Sequence, residues 1–383
     1  MDSIAARSTS GLPRRPRPVS TLTYPFEPPA ADGSVVEIAP GILWARMPMP
    51  MTLDHINVYL LRDRTGWVIV DTGLNTPRAR EVWETIAADK LDGLPIQAVL
   101  CTHFHYDHAG LAHWLTERFD VPLYMTYGEY YAMRVTYTPL PDPLPPTHLA
   151  HFHRSGLSDE MRDAIIQGLR RDPFTPPAAM SFCRLAQGQM LTIGQRKWRV
   201  VIGSGHSPEH ACLYCEEEKL LIAGDQLLPR ISSNVQVTAV EPEANPLADW
   251  LASLDHLDQL DAQTLVLPSH QGVFHGLRTR VQELREHHAQ QLGQLGKFVA
   301  EHPDATAFDA MREMFPQVRA PIDHLLALGE TIAHLAWLRE AGEIVRDLND
   351  NGVYVHRMSG VRASAGKGAP RGIRQSRTTG DTP

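Results

Sequence analysis

Cysteine is scarce in this sequence: Cys101, Cys183, Cys212 and Cys215 are the four in a chain of 383 residues. So few thiols exclude a disulfide-built scaffold and point to a reducing compartment, so a cytoplasmic location is expected. Cys212 and Cys215 form a C-x-x-C, but "HACLYCEEEKLLIAGD" reads as two short strands around a charged turn. Residues i and i+3 of a strand face opposite ways, which disfavours a redox pair or zinc site and favours two buried thiols. Apolar runs of bilayer length are missing as well, so a soluble protein with no membrane partner is expected. A basic excess is missing too: 36 Lys and Arg face 44 Asp and Glu, a net charge of -8. That weighs against sequence-independent binding to nucleic acid or anionic lipid. Arg14-Arg15 in the Pro-, Arg- and Ser-rich N-terminus precedes no apolar segment, so no export signal is expected. Residues 1–30 and 358–383 are expected as disordered tails. What is left, 43% hydrophobic and 21% charged, is the composition of a globular chain with a sizeable core, and its length suggests two to three domains.

Histidine, by contrast, is abundant at 19 residues, and "CTHFHYDHAG" at 101–110 places three of them and an aspartate within six positions. The turn follows an apolar strand, "IQAVLCT", and runs into "HAGLAHWLTERF", where Leu111, Trp114, Leu115 and Phe119 share one helical face. It therefore lies at the C-terminal end of a strand, where open α/β sheets build their sites. His103 and His105, two apart, can project the same way from an extended turn. Asp107 and His108, at the helix start, can face a second point nearby. A lone histidine is by default a surface residue, but four ligand-type residues in six positions are the pattern of a metal site. Further candidates each follow an apolar strand: His206 after "KWRVVIGSG", Asp225 after "KLLIAG", His270 after "TLVLPS", and Asp71 after "WVIV".

Together "THFHYDH", "GSGHSPEH", "AGDQ" and "PSHQG", with "HINVYLL" and "WVIVDTG" before them, resemble the motifs of the metallo-β-lactamase superfamily of hydrolases over roughly residues 35 to 275. The resemblance implies an α/β (α+β) fold, a four-layer αβ/βα sandwich with its site at one edge. It also implies a ligand set. His103, His105 and His206 would hold a first divalent metal, Asp107, His108 and His270 a second, and Asp225 would bridge them. Asp71 would orient the ligand turn. Zinc suits this donor set, and iron or manganese fits the same residues. Histidine at 105, where the oxygen-reducing di-iron branch usually has glutamate, favours hydrolysis over redox chemistry. The bridging Asp225, absent from true β-lactamases, disfavours antibiotic hydrolysis. The pattern is closest to glyoxalase II and its relatives, which implies a small thioester or ester substrate, with Asp107 orienting the attacking water or taking its proton. A phosphodiesterase, nuclease or lactonase on the same scaffold is the alternative, and a non-catalytic regulator ranks below both. Glu209 departs from the family pattern, which often has glycine there.

The expected catalytic domain spans 31–278. Within it, 120–195 is expected as a cap-like, largely helical insertion, with Ser158 capping a helix at "SDEMRDAIIQGLRR" and with His148, His151 and His153 in solvent. Tyr127, Tyr130, Tyr131 and Tyr137 are candidate acids for the leaving group, although core packing is the commoner role for such residues. Arg230, just after Asp225, could meet an anionic substrate group. Residues 279–357 read as helix, helix, helix and a hairpin turning at Asn351-Gly352, similar to the winged-helix module of some superfamily members. Its helix at "GETIAHLAWLREAG" is apolar and the module is acidic, so packing on the catalytic domain or dimerisation is preferred to DNA reading.

Overall fold

The computed structural model describes residues 22–171 and 174–360. The remainder of the two expected tails, with Arg14 and Arg15, lies outside the described residues. A seven-stranded sheet runs in chain order through β1 (Val35–Ala39), β2 (Ile42–Pro48), β3 (His55–Arg62), β4 (Trp67–Val70), β5 (Ile96–Leu100), β6 (Leu123–Thr126) and β7 (Cys183–Leu185). It is antiparallel as far as β4 and parallel from β4 to β7. The second sheet has six strands in the order β13-β12-β11-β10-β9-β8. They are β8 (Met190–Ile193), β9 (Arg196–Gly203), β10 (His210–Cys215), β11 (Leu220–Gly224), β12 (Leu265–Pro268) and β13 (Phe274–His275).

The central strands are buried on both faces, which is why they read as apolar runs and not as alternating patterns. Trp44, Tyr59, Val70 and Leu100 of the first sheet meet Trp198, Val200, Leu213 and Ile222 of the second in one cluster between the sheets. On the outer face of the first sheet, Ile69 and Val99 pack with Val82, Trp83 and Ile86 of α1 (Pro77–Asp89) and Leu115 of α3 (Ala112–Phe119). On the outer face of the second, Val201, Leu221 and Val266 pack with Trp250 and Leu254 of α7 (Pro246–Asp258) and with Val281 and Leu284 of α8 (Leu277–Glu301). The result is the four-layer αβ/βα sandwich. The period of two is visible in β10, where Cys212 and Tyr214 join the outer cluster while Leu213 and Cys215 join the inner one. Both thiols are buried and unpaired, on opposite faces of the strand.

Several local expectations need correction. The helix expected from 108 is broken into α2 (Tyr106–Ala109) and α3, because the metal-type turn winds into its first turn. Segment 120–195 is not a helical cap throughout: β6 and β7 complete the first sheet and β8 edges the second. These strands are only three or four residues long, too short to show a period. The segment does hold α4 (Tyr127–Thr136), α5 (Pro146–Arg154) and α6 (Asp159–Arg170), and Ser158 Oγ accepts from the Met161 amide as an N-cap. His151 is buried beside Phe152, not solvated, whereas His153 is exposed and bonds the Asn351 carbonyl. Residues 22–30 are not a free tail: Leu22 is buried, and Thr23 bridges to His275.

The C-terminal part follows the expected order. α8 is followed by α9 (Ala307–Met314), whose capping box joins Thr306 and Asp309, then α10 (Pro321–Glu340) and the hairpin β14 (Ile344–Leu348) with β15 (Tyr354–Met358). α8 is one continuous helix from the second sheet's outer face into this module. The α6 residues Ile165 and Ile166 share a cluster with Leu328 and Leu335 of α10, so the 120–195 segment packs on the C-terminal helices.

Candidate metal centre

Five loops at strand C-termini converge on one edge of the sandwich: after β4 (Asp71), β5 (residues 101–108), β9 (His206), β11 (Asp225) and β12 (His270). Backbone bonds stitch the two sheets there, from the Ala211 amide to the Thr102 carbonyl and from the Asn57 amide to the Ser269 carbonyl. Tyr59 OH adds a 2.8 Å bond to the Pro268 carbonyl. Gly224, at φ +50°, turns the chain toward Asp225, and a Cβ on it would lie 2.5 Å from the His210 ring, so this position requires glycine.

All seven candidate ligands meet, in two groups: His103, His105, His206 and Asp225; and Asp107, His108 and His270. In the first, His103 Nε2 lies 2.9 Å from His105 Nδ1 and 3.2 Å from His206 Nε2. In the second, Asp107 Oδ2 lies 3.2 Å from His270 Nε2 and 3.5 Å from His108 Nε2. Donors around a tetrahedral ion with bonds of about 2.0–2.1 Å sit roughly 3.3 Å apart, the spacing found here. Asp225 faces both groups. Its Oδ2 is 3.3 Å from His206 Nε2, and its Oδ1 is 3.5 Å from His108 Nε2 and 3.4 Å from His270 Nε2.

The donors fit divalent cations in a further respect. His108 Nε2 is buried without a hydrogen bond among the described residues, an arrangement costing about 1–3 kcal/mol unless something fills it. Burial, then the neighbouring imidazoles, holds His103 well below the usual histidine range and, together with His206, holds His105 down to about 3. Both are therefore neutral at pH 7, the ligating form. Burial opposes ionisation of Asp107, but His108 and His270 outweigh it and hold the carboxyl down to about 2. Burial likewise resists protonation of His108, yet Asp107, Asp71 and Asp225 raise it well above normal, a field that a bound cation would also satisfy.

His108, His206, His270 and Asp225 are aimed by partners outside the two groups. The Asp71 carboxylate accepts from the Thr102 amide at 2.7 Å and from His108 Nδ1 at 2.8 Å, with its own backbone in the left-handed region at φ 63°. His206 Nδ1 donates to the Asn234 carbonyl at 2.7 Å, and His270 Nδ1 to the His55 carbonyl at 2.9 Å. Ser269 Oγ donates to Asp225 Oδ1. These bonds leave the opposite ring nitrogen of each histidine for an ion.

Glu129 was missed. It is fully buried, and its carboxylate accepts from the Phe104 amide (3.0 Å), Ser207 Oγ (2.6 Å) and the Glu209 amide (2.7 Å), tying the first ligand turn to the His206 loop. Burial lifts its carboxyl to about 7 despite those donors. A signal for it did exist: Glu129 and Met133 on α4 and Tyr137 at its C-cap are spaced by four, so the acid lies on the apolar stripe. Glu209, the departure from the family pattern, points away from the ligands and accepts from the Gly128 amide at 2.7 Å, capping the N-terminus of α4. The tyrosines take structural places: Tyr137 OH donates to the Phe104 carbonyl and Tyr130 OH to the Ala179 carbonyl, while Tyr127 and Tyr131 pack on each other at the surface. Arg230, exposed on the loop after Asp225, lies over the Tyr24 ring at 5.4 Å and pairs with no carboxylate among the described residues.

The metallo-β-lactamase superfamily model matches residues 51–270, and a metallo-β-lactamase-like C-terminal domain model matches 292–359. The chain belongs to the metallo-β-lactamase superfamily and has the histidine and aspartate clusters of a metallo-hydrolase. Among solved structures it is similar to a β-lactamase domain protein from Burkholderia ambifaria, with 43% identity and a TM-score of 0.81 over 88% of this chain and 98% of that one. It is 26% identical to the probable metallo-hydrolase YqjP of Bacillus subtilis over 83% of this chain and 98% of that protein. It is 23% identical to the atrochrysone carboxyl ACP thioesterase of Aspergillus fumigatus over 62% of this chain and 57% of that protein.

Proposed function

We propose that the protein hydrolyses a small thioester or ester, using two divalent metal ions held by His103, His105, His206, Asp107, His108 and His270 and shared by Asp225. The observation that carries this reading is the Asp225 carboxylate, which turns one oxygen to each group of histidines. Such ions, zinc by donor type, lower the pKa of water to about 7 and polarise a carbonyl oxygen. The chain's own part is positional. Asp107, ionised far below neutral pH, is a poor store for a proton and a good acceptor for orienting the attacking water. Asp71, Asn234 and the His55 carbonyl hold the imidazoles in one tautomer. The relative named as a thioesterase favours a thioester over a phosphodiester. Arg230, set on Tyr24 beside the loop that follows Asp225, is a cation for an anionic group of the substrate.

The test is a substrate panel on the zinc-loaded protein: a glutathione thioester, a neutral thioester, a lactone and a phosphodiester. Chelator-sensitive thioester turnover is expected. Turnover of the phosphodiester alone would replace this reading with the nuclease-like one. Replacing Arg230 with alanine should raise KM for the anionic thioester roughly five- to tenfold, the size of one exposed charge-assisted hydrogen bond, and leave the neutral thioester unchanged.

A further inference from the structure

We infer that the C-terminal helices α8 and α10 set the orientation of His206, and that Arg280 on α8 is the positioning residue through which they act. The inference rests on the metal-site reading above and gives the C-terminal module a role in it. Residues 225–237 contain no helix or strand, yet the chain here carries Asp225 at one end and the Asn234 carbonyl that receives His206 Nδ1 near the other. An irregular segment of that length needs outside restraint to hold a carbonyl in place. Ser233 Oγ closes the loop onto the Asp225 carbonyl. Several of the other restraints come from the C-terminal helices. Arg280, only 7% exposed, donates through Nε to the Leu228 carbonyl at 2.6 Å and through Nη2 to the Ile231 carbonyl at 2.9 Å, while Nη1 meets Glu283 at 3.1 Å. On the far side of Asn234, the Val237 amide donates to the Gly329 carbonyl of α10 at 3.0 Å. Gly329 permits that approach, since a Cβ there would lie 2.8 Å from Gln236 Cβ and 3.1 Å from the Val237 carbonyl oxygen. Val235 and Val237, buried between these anchors, share a cluster with Ala327 and Leu328. The loop is gripped from both sides, and Asn234 sits between the grips. Arginine suits the first grip because its planar fork reaches two carbonyls at once, which a lysine ammonium does not do in the same geometry.

The experiment is chelator competition on the full chain loaded with cobalt(II), read by its visible spectrum, with H206A and H270A marking which binding step belongs to which group. Loss of an outer partner typically weakens a metal site about 10- to 100-fold. R280M should therefore weaken the step that H206A removes by roughly tenfold or more and leave the step that H270A removes within about twofold. R280K should fall between wild type and R280M. G329A, which pushes the same loop from the other side, should weaken the same step. M311A, a truncation of a buried residue of α9, a helix that among the described residues makes no hydrogen bond to 225–237, should leave both steps unchanged even where it lowers the melting temperature as much. Unchanged first-step affinity in R280M and G329A, or equal weakening of both steps, would overturn the inference. Should R280M not fold, G329A and R280K decide it by the same readings. Failure of the wild-type protein to bind two cobalt ions would instead overturn the site reading beneath it.

Discussion

Asp225 is the residue on which the two halves of the site depend. Its carboxylate oxygens stand 3.3–3.5 Å from histidine nitrogens of both groups, so removing it takes a donor from each. D225A should lose both metals by elemental analysis and lose activity by more than the ~100-fold that an outer partner costs. Full activity with two metals in that variant would refute the assignment. Glu129 makes a different prediction. E129A leaves the Phe104 and Glu209 amides and the Ser207 hydroxyl without their buried acceptor, a loss of about 2–4 kcal/mol of stability measurable by denaturant titration. All seven ligand candidates were legible in the sequence because each is a ligand-type side chain at the end of an apolar strand. Asn234 and Arg280 were not, because they act through backbone carbonyls that leave no residue-type signature, between partners as far apart as 52 positions.

At the scale of elements, the packing of α8 against α10 carries a pH dependence. His288 Nδ1 meets His334 Nε2 at 3.1 Å, and His334 Nδ1 meets the Glu330 carbonyl at 2.8 Å. The carbonyl must receive a proton, so His334 Nε2 is the acceptor and His288 the donor, and the pair fits only when neutral. Burial first, then neighbouring imidazoles, lowers His288 to about 3, and burial, partly offset by that carbonyl bond, lowers His334 to about 4. The unfolded chain thus binds more protons between pH 6.5 and 4, and stability falls as pH falls through that window by up to about 1.4 kcal/mol per pH unit per histidine. Glu330 on α10, raised by burial to about 7, works the opposite way: its folded form holds the extra proton between pH 4.5 and 7. His287 and Gln291 on α8 and Trp250 on α7 complete the surroundings. Two histidines against one glutamate leave a net loss on acidification, read as a falling melting temperature from pH 6.5 to 5, and H334L should flatten that slope. The three C-terminal helices α8, α9 and α10 were legible as a series. The break between α2 and α3 was not, because the ligand turn sets it, and neither were β6, β7 and β8, whose three or four residues are placed by pairing at the sheet edges.

For the whole molecule, two sheets with unlike edges close on each other so that loops distant in sequence share one buried corner, and the C-terminal helices brace one of those loops. The family resemblance implied the layer order, and the helix-helix-helix-hairpin series was legible in the sequence. The packing of α5 and α6 on the C-terminal helices was not, since it joins two surfaces that each look like an ordinary amphipathic face. α10 is buried along much of its length, and among the described residues no helix is long and apolar enough to cross a membrane. A helix largely buried over 327–338 offers little face for a DNA groove, so duplex DNA should give no salt-dependent gel shift at micromolar protein. The most direct test of the central claim is a titration of chelated, metal-free protein with zinc while thioester hydrolysis is followed. The two-ion site predicts no turnover at zero zinc and activity that rises to a break at two equivalents per chain. Turnover by the metal-free protein, or saturation at one equivalent, would contradict it.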